Sequence, residues 1–245
     1  MGENHIYEGQ IVTTTPYKNW YWYFESLFWP EQIMRIKEIC GVHNEDETLE
    51  VAKHVGAKTD DQVIKNIRNN KVSWHDNDEL YGMVRPIMAE VNQSSGWNFE
   101  ITAIEPIQYT VYYGDENHYH WHTDTIINDD WNNPEWLEET NNQNHVLANT
   151  MRKISCSIQL SDPDDYDGGE FELLHADSKV TSDSSLNSEE LRKDGFLNVS
   201  PIPLPHFKDK GSALFFPSFT YHRVKPVTRG IRRSLVVWFR GPQWR

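Results

Sequence analysis

The stretch RGIRRSLVVW, residues 229–238, has the run of branched and aromatic side chains that is typical of a β-strand. Alternate residues of an extended strand share one face, here Arg232, Ser234, Val236 and Trp238. Two polar side chains would then point inward beside two apolar ones. Because a buried guanidinium needs an anionic partner, the stretch predicts either an internal Arg–Asp pair or an anionic ligand at Arg232.

Similar β-rich runs, separated by turn-forming Pro, Gly, Asp and Asn, fill the chain from Phe99 onward. They are Ile101–Tyr113, Arg152–Leu160, Glu170–Leu174, Ser212–Phe216 and Arg232–Phe239. This succession predicts an antiparallel sandwich or barrel. Two polar stretches interrupt it, at about 127–150 and 177–199, and we expect either lids over a site or solvated insertions.

The first part of the chain has helical periodicity instead. Apolar residues recur at helical spacing, most clearly in the last of three stretches, Glu31–Cys40, Asp60–Asn69 and Asp78–Val91. We therefore expect one domain over residues 1–245, mainly β with N-terminal helices. Residues 1–98 would be a helical support region without a site motif, and residues 99–245 would be the β core.

Composition excludes several classes of partner and location. The chain has 245 residues, and 23 Lys+Arg against 37 Asp+Glu give a net charge of −14, which repels phosphate backbones and argues against a nucleic-acid partner. No apolar run approaches the roughly 18 residues of a membrane span, and no signal pattern opens the chain. The two cysteines have no metal-finger spacing, so we expect a reducing cytoplasm.

The triplet His122-Thr123-Asp124 carries the strongest chemical signal. On an extended strand the side chains of His122 and Asp124 share a face, about 6 to 7 Å apart, and can both bind one side of a metal ion. A third ligand would be His222, which follows an apolar strand-like run that ends at Pro217. Two imidazoles and one carboxylate form the facial triad with which non-haem Fe(II) oxygenases keep coordination positions open.

A rival ligand set uses the neighbouring histidines. His118 and His120 share the alternation of His122, so a cupin-like pair of imidazole nitrogens is conceivable there. That rival has no use for Arg232, and the extra histidines can equally be solvated or hydrogen-bonded.

Several ordered motifs give the chain a family resemblance over about residues 105 to 240. It resembles the iron(II)- and 2-oxoglutarate-dependent dioxygenases in their prolyl 4-hydroxylase-like branch. The motifs are Tyr112-x-Gly114, Tyr119-x-Trp121-His122-x-Asp124, Arg152-Lys153-Ile154-Ser155, Leu160-Ser161-Asp162-Pro163, Tyr166-x-Gly168-Gly169-Glu170, Phe216-Pro217-Ser218, His222-Arg223-Val224-x-Pro226-Val227 and Gly230-x-Arg232-x-Ser234-Leu235.

The resemblance implies a double-stranded β-helix, a cupin-like jelly roll, with the N-terminal helices bracing the outside of one sheet. It implies Fe(II) ligands and a cosubstrate site, with Arg232 on the distal carboxylate of 2-oxoglutarate. The implied metal ligands are His122, Asp124 and His222. The implied contacts of the cosubstrate are Arg232, Ser234, Gln159 and Tyr112, with Tyr113 as the alternative in register. The implied pocket walls are Ser157, Val224 and Trp238.

The activity implied is hydroxylation of an unactivated C–H bond with O2, releasing succinate and CO2, with ascorbate as a candidate supporting reductant. The default substrate is a prolyl residue of a protein or peptide, and a free amino acid or other small molecule is the alternative. Alkylated nucleic-acid bases are a further option, but acidic residues surround Trp131 and Trp136, which could stack bases or belong to a lid. A non-enzymatic, metal-stabilised binding module also stays open. The sequence leaves the substrate and the oligomeric state undetermined.

Overall fold

The structure, a computed structural model of the chain, describes residues 3–7, 10–14, 19–44, 49–52, 67–125, 150–176 and 199–244. Within these residues it contains two α-helices, α1 (Pro30–Ile39) and α2 (Asp78–Ser94). It also contains fifteen strands, which are β1 (Glu3–Tyr7), β2 (Gln10–Thr14), β3 (Trp22–Phe24), β4 (Glu50–Val51), β5 (Arg68–Asn69), β6 (Lys71–His75), β7 (Ala103–Ile104), β8 (Ile107–Tyr113), β9 (Asn117–His122), β10 (Thr150–Gln159), β11 (Tyr166–Gly168), β12 (Phe171–Ala176), β13 (Val199–Pro203), β14 (Ala213–Pro217) and β15 (His222–Pro242).

The long strand β15 organises the fold because it belongs to two antiparallel sheets. Its second half pairs with β8 and β10 in the larger sheet, whose order is β3-β14-β10-β15-β8-β6-β4. Its first half pairs with β9, β11 and β12 in the smaller sheet, to which β5 and β13 add at the edges. β1 and β2 pair separately with each other. The arrangement confirms the predicted antiparallel sandwich.

A glycine makes the passage of β15 between the sheets possible. Gly230 has a φ of 75°, in the left-handed region, and a Cβ added there would collide with the backbone carbonyl of Asp165. The strand can therefore bend at this position without a break in pairing. As a result His222 and Arg232 belong to one strand but to different sheets.

The main hydrophobic core lies between the larger sheet and the two helices. Ile36 of α1 and Val84 of α2 belong to the same buried cluster as Tyr109 of β8 and Val237 of β15. Side chains of the alternate set on these strands are therefore free to face the smaller sheet. This agrees with the expectation that the N-terminal helices brace the outside of one sheet.

The N-terminal region differs from the sequence prediction in one respect. Besides the two helices it contributes four short strands, β3 to β6, to the sheets. Arg68 and Asn69, predicted to end a helix, instead form β5 and pair with β9. Strands of two to five residues are too short for periodicity to reveal them. Residues 60–66 of the predicted helix lie outside the described residues.

Both predicted insertions also fall largely outside the described residues, which omit 126–149 and 177–198. Trp131 and Trp136 are among those omitted, so the choice between lid and solvated loop stays a prediction. Among the described residues, neither helix has the length and apolar character needed to cross a bilayer.

Candidate metal centre and its cavity

Two strands bring the predicted histidines together. His122 ends β9, His222 begins β15, and the two are directly opposite in the antiparallel register. Asp124 does not lie on an extended strand, as the sequence predicted, because β9 ends at His122. Its backbone N–H donates instead to the carbonyl of Ser218 at 2.9 Å. This bend, anchored to the end of β14, turns the carboxylate back toward both imidazoles.

The three side chains can surround one ion. Nε2 of His122 lies 3.7 Å from Oδ1 of Asp124, and Nε2 of His222 lies 3.5 Å from Oδ2. One ligand atom from each residue falls within 4.8 Å of the others, and no other His/Cys/Asp/Glu group in the described part of the chain does so. A 2-His-1-carboxylate set of this kind fits a non-haem Fe(II) ion.

Backbone carbonyls orient both imidazoles. Nδ1–H of His122 donates to the carbonyl of His120 at 2.7 Å, and Nδ1–H of His222 donates to the carbonyl of Thr220 at 2.9 Å. Each ring therefore presents the lone pair of Nε2 to the centre. The rival set is not assembled, since His118 bonds the carbonyl of Glu116 and neither His118 nor His120 joins the ligand group.

The protonation states also suit a metal. Burial opposes ionisation of Asp124, but positive charge on His222 and His122 when they are protonated, the charge of Arg152 and a hydrogen bond from Ser155 outweigh it and lower the pKa of the carboxyl to about 2. The hydroxyl of Ser155 donates to Oδ2 of Asp124 at 2.7 Å. Burial, reinforced by His222, holds the pKa of His122 well below its usual value. A carboxylate beside a neutral imidazole is the form that binds a cation.

Aromatic rings fix the planes of the two imidazoles. The ring of Tyr119 stacks on that of His122 with centroids 3.5 Å apart, and the ring of Phe171 stacks on that of His222 at 5.5 Å. Neither aromatic residue was assigned a role from the sequence. Stacking restricts the rotation of each ligand ring, which helps to preorganise the centre.

A cavity between the two sheets opens onto this centre. It is lined by six of the residues predicted to bind the cosubstrate or form the walls, Tyr112, Ser157, Val224, Arg232, Ser234 and Trp238. Tyr112 and not Tyr113 lies there, because Tyr112 pairs with Arg232 in the register of β8 and β15. Lining residues without a role predicted from the sequence are Arg68, Gln108, Tyr119, Cys156, Phe171, Phe216 and Val236.

Arg232 is the most unusual residue of the cavity. It is 1% exposed, and its Nε and Nη2 have no hydrogen-bond partner among the described residues. Its Nη1 reaches the hydroxyl of Ser234 at 3.4 Å, and no described carboxylate lies within 4.0 Å of the guanidinium. The internal Arg–Asp pair that the sequence left open is therefore not formed within the described residues.

A glycine makes room for this guanidinium. Gly169 has a φ of 65°, and a Cβ added to it would lie 2.9 Å from Cδ of Arg232. The Gly168-Gly169 turn thus allows the chain to pass close over the Arg232 side chain.

Gln159 lies elsewhere than predicted. It lines a neighbouring cavity of about 430 Å³, with Gly169, Phe171 and Lys208 among the other lining residues. Its Nε2 donates to the hydroxyl of Tyr166 at 3.2 Å. Strand alternation placed Gln159 inward, but it could not specify which of two adjacent cavities the side chain faces.

A second buried cluster of charge was not foreseen from the sequence. Nε and Nη2 of Arg152 donate to the two carboxylate oxygens of Glu105, at 2.8 and 2.6 Å. Nη1 of Arg240 donates to the same carboxylate. The guanidinium of Arg152 also lies 3.7 Å from the centroid of Trp238, a cavity wall residue. This cluster therefore supports the cavity from behind.

Comparison with known proteins gives one family. A family model described as the 2OG-Fe(II) oxygenase superfamily matches residues 107–240, more than half of the chain. A PKHD-type hydroxylase of Xylella fastidiosa (strain M12) is 34% identical over 94 residues, which are 38% of this chain and 30% of that protein. The match thus spans under a third of that relative.

Solved structures share the fold. A Pseudomonas putida prolyl-4-hydroxylase superimposes with a TM-score of 0.59 at 18% identity, covering 91% of this chain and 94% of that one. A Trichoplax adhaerens prolyl hydroxylase, in complex with a hypoxia inducible factor peptide fragment, gives 0.59 at 16% identity, covering 90% and 83%. Together with the family match, this likeness confirms the predicted jelly roll.

Proposed function

Because the chain belongs to the 2OG-Fe(II) oxygenase superfamily, we propose that it is an Fe(II)- and 2-oxoglutarate-dependent dioxygenase that hydroxylates an unactivated C–H bond and releases succinate and CO2. One observation carries the proposal. The same cavity holds a facial triad and, in Arg232, a fully buried cation without an anionic partner in the described structure. A dicarboxylic cosubstrate that spans the two would satisfy both.

In this proposal His122, Asp124 and His222 hold the iron. When bound, Fe(II) with 2-oxoglutarate and O2 supplies the oxidising chemistry, so the chain needs no acid–base residue of its own. What these residues contribute is a fixed arrangement of ligands, since carbonyls hold Nδ1 of each imidazole and Ser155 holds the carboxylate. Asp124 and His222 are buried and the side chain of His122 is only 10% exposed, which limits the access of water to the reacting atoms.

The other end of the cavity would bind the distal carboxylate of the cosubstrate. Nε and Nη2 of Arg232 have no described hydrogen-bond partner, and a guanidinium can offer one N–H from each to a single carboxylate as a fork. Ser234 and the hydroxyl of Tyr112 would add hydrogen bonds, between walls formed by Ser157, Val224 and Trp238. Gln159 would act indirectly, because it donates to the hydroxyl of Tyr166 and that hydroxyl is near Arg232.

For the substrate we propose a prolyl residue of a protein or peptide. The support is the name of the two similar structures, both prolyl hydroxylases, and the peptide held by one of them. For the location we propose the reducing cytoplasm, with which the free thiols of Cys40 and Cys156 are compatible.

The test is release of labelled CO2 from 2-oxoglutarate by the Fe(II)-loaded protein, followed by a search for products 16 Da heavier in a peptide mixture. Ascorbate is added as the supporting reductant. We expect CO2 release by the wild type and none by Asp124→Ala, which lacks a metal ligand. Wild-type protein that binds Fe(II) and 2-oxoglutarate without releasing CO2 in any mixture would identify a binding module instead.

A further inference from the structure

A second arginine lines the same cavity at a position that the family match does not include. Arg68 lies on β5, opposite Tyr119 of β9, and is 9% exposed. Its guanidinium lies 4.6 Å from the centroid of the Tyr119 ring, and that ring stacks on His122. Arg68 is therefore held beside the metal centre.

The described groups that hold this guanidinium are neutral. Nε donates to Oδ1 of Asn70 at 2.8 Å, and Nη2 donates to Oε1 of Gln108 at 2.9 Å. These bonds use two of the five N–H groups of arginine. In the described structure no carboxylate lies within 4.0 Å of it, whereas Arg152 shares the buried carboxylate of Glu105. Amide oxygens orient the charge of Arg68, and among the described residues no carboxylate acts as its counter-ion.

Arg68 and Arg232 are anchored at different points of the cavity. Arg232 is opposite Tyr112 on β8, while Gln108, which holds Arg68, is opposite Val236. These two points are four positions apart along β8, which is about 13 Å of extended chain. In the proposed function Arg232 takes the distal carboxylate of the cosubstrate, which leaves Arg68 for a different anion.

We propose that Arg68 binds a carboxylate of the primary substrate and so selects substrates that carry an anionic group close to the carbon that is hydroxylated. The proposal rests on the proposed function. The carboxylate has two sources that share this chemistry, the α-carboxylate of a free amino acid or an acidic side chain next to the modified residue of a peptide. In either case the hydrogen bonds to Asn70 and Gln108 fix the orientation of the Arg68 guanidinium, and so the direction from which a carboxylate can bind it.

The alternative role for Arg68 is to position Tyr119 and, through it, His122. That role would make Arg68 matter for Fe(II) affinity, whatever the charge of the substrate. A carboxylate-binding role would leave Fe(II) affinity unchanged and would distinguish an anion from a neutral molecule of the same shape.

The test uses anaerobic Fe(II)-loaded protein with 2-oxoglutarate bound, and acetate and acetamide as the matched probes. High-spin Fe(II) broadens the methyl signal of a probe that binds beside it, so NMR titration reports both affinity and proximity. We expect acetate to bind more tightly than acetamide. Arg68→Gln should lower the affinity for acetate at least about 10-fold, or about 1.4 kcal/mol. Lys71→Gln removes the same charge from the adjacent strand β6, where Lys71 lies over Tyr113, and should have no effect.

The outcomes separate the inference from the proposed function. The same samples first report Fe(II) and 2-oxoglutarate affinity, and failure of wild-type protein to bind 2-oxoglutarate would contradict the proposed function. If 2-oxoglutarate binds, equal acetate affinity in the wild type and Arg68→Gln overturns the inference. The inference is also overturned if Arg68→Gln lowers the affinity for Fe(II) or 2-oxoglutarate but not the affinity for acetate. Should Arg68→Gln fail to fold, Arg68→Lys, which keeps the charge but loses the fork, must still bind acetate more weakly than the wild type.

A second arm identifies the source of the carboxylate. Stimulation of CO2 release is compared between free L-proline and an amide-capped peptide in which glutamate follows proline. Whichever probe stimulates the wild type should lose that stimulation in Arg68→Gln and keep it in Lys71→Gln. Stimulation that survives in Arg68→Gln contradicts the assignment.

Discussion

Arg240 and Arg232 lie on the same strand and are both almost fully buried, 3% and 1% exposed, yet their surroundings are opposite. Arg240 donates from Nη1 to Glu105, and from Nε and Nη2 to the hydroxyl and the carbonyl of Thr150. Arg232 has one long bond to Ser234, and two of its nitrogens have no described partner.

The difference indicates what each cation is for. A buried charge is unfavourable unless it is paired, so a guanidinium that the chain itself neutralises belongs to the fold. A guanidinium that the described residues leave unpaired at the wall of a cavity can instead be neutralised by an anionic ligand, as we propose for Arg232. The same reasoning separates Arg152, which is paired with Glu105, from Arg68, which has no carboxylate partner in the part of the chain that the structure describes.

Removal of the shared carboxylate should have the largest effect on stability. Glu105→Gln leaves Arg152 and Arg240 buried without a counter-ion, and we expect it to lower the free energy of unfolding by about 3–5 kcal/mol. Chemical denaturation of the metal-free protein measures this. A decrease below about 1 kcal/mol would show that Glu105 is not the anion on which the two cations depend.

The effect of Glu105 should also depend on pH. Burial opposes its ionisation, but the charges and hydrogen bonds of Arg152 and Arg240 outweigh burial, so the pKa of Glu105 is lowered in the fold. Its stabilisation is therefore complete above its ordinary value of 4.5 and is lost as the pH falls through the lower folded value. The difference between wild type and Glu105→Gln should shrink in acid, and a difference that grows there would reverse the assignment.

The unpaired cation should behave in the opposite way. Arg232→Met keeps the volume and removes a buried, uncompensated charge, so the metal-free protein should be unchanged or more stable by up to about 2 kcal/mol. The same denaturation experiment with Fe(II) and 2-oxoglutarate, kept anaerobic, should stabilise the wild type more than the variant. A large loss of stability in metal-free Arg232→Met would mean that Arg232 is part of the fold.

A surface pair gives the smallest expected effect and sets the baseline. Arg35 donates to both carboxylate oxygens of Glu79, but the two side chains are 51% and 44% exposed. Since solvent screens such a pair, Glu79→Gln should leave the unfolding midpoint unchanged within error. A shift as large as that of Glu105→Gln would show that pairing and not burial decides the effect.

Much of the site could be predicted because its signals are local or ordered along the chain. His122 and Asp124 are neighbours in sequence, and strand alternation alone places Arg232 and Ser234 on one face. Alternation shows which residues of one strand share a face, but it does not show how two neighbouring strands are aligned. The choice between Tyr112 and Tyr113 therefore needed the pairing of β8 with β15.

Other features depend on contacts between distant residues. The bend at Asp124 is held by Ser218, and Glu105 lies 47 residues from Arg152 and 135 from Arg240. Arg68 lies on a two-residue strand and meets Gln108 across 40 residues. No periodicity or motif in a single sequence indicates such pairs, so these residues could be found only in the folded chain.

The most direct test of the central claim is the affinity of the Fe(II)-loaded protein for 2-oxoglutarate, measured anaerobically by calorimetric titration. Arg232→Met should weaken it at least about 100-fold, roughly 2.7 kcal/mol, while Fe(II) affinity stays constant. Arg233→Met, the neighbour on the opposite face of β15, is the matched control and should bind 2-oxoglutarate like the wild type. A loss under about 3-fold in Arg232→Met, or an equal loss in both variants, would contradict the assignment of Arg232 to the cosubstrate.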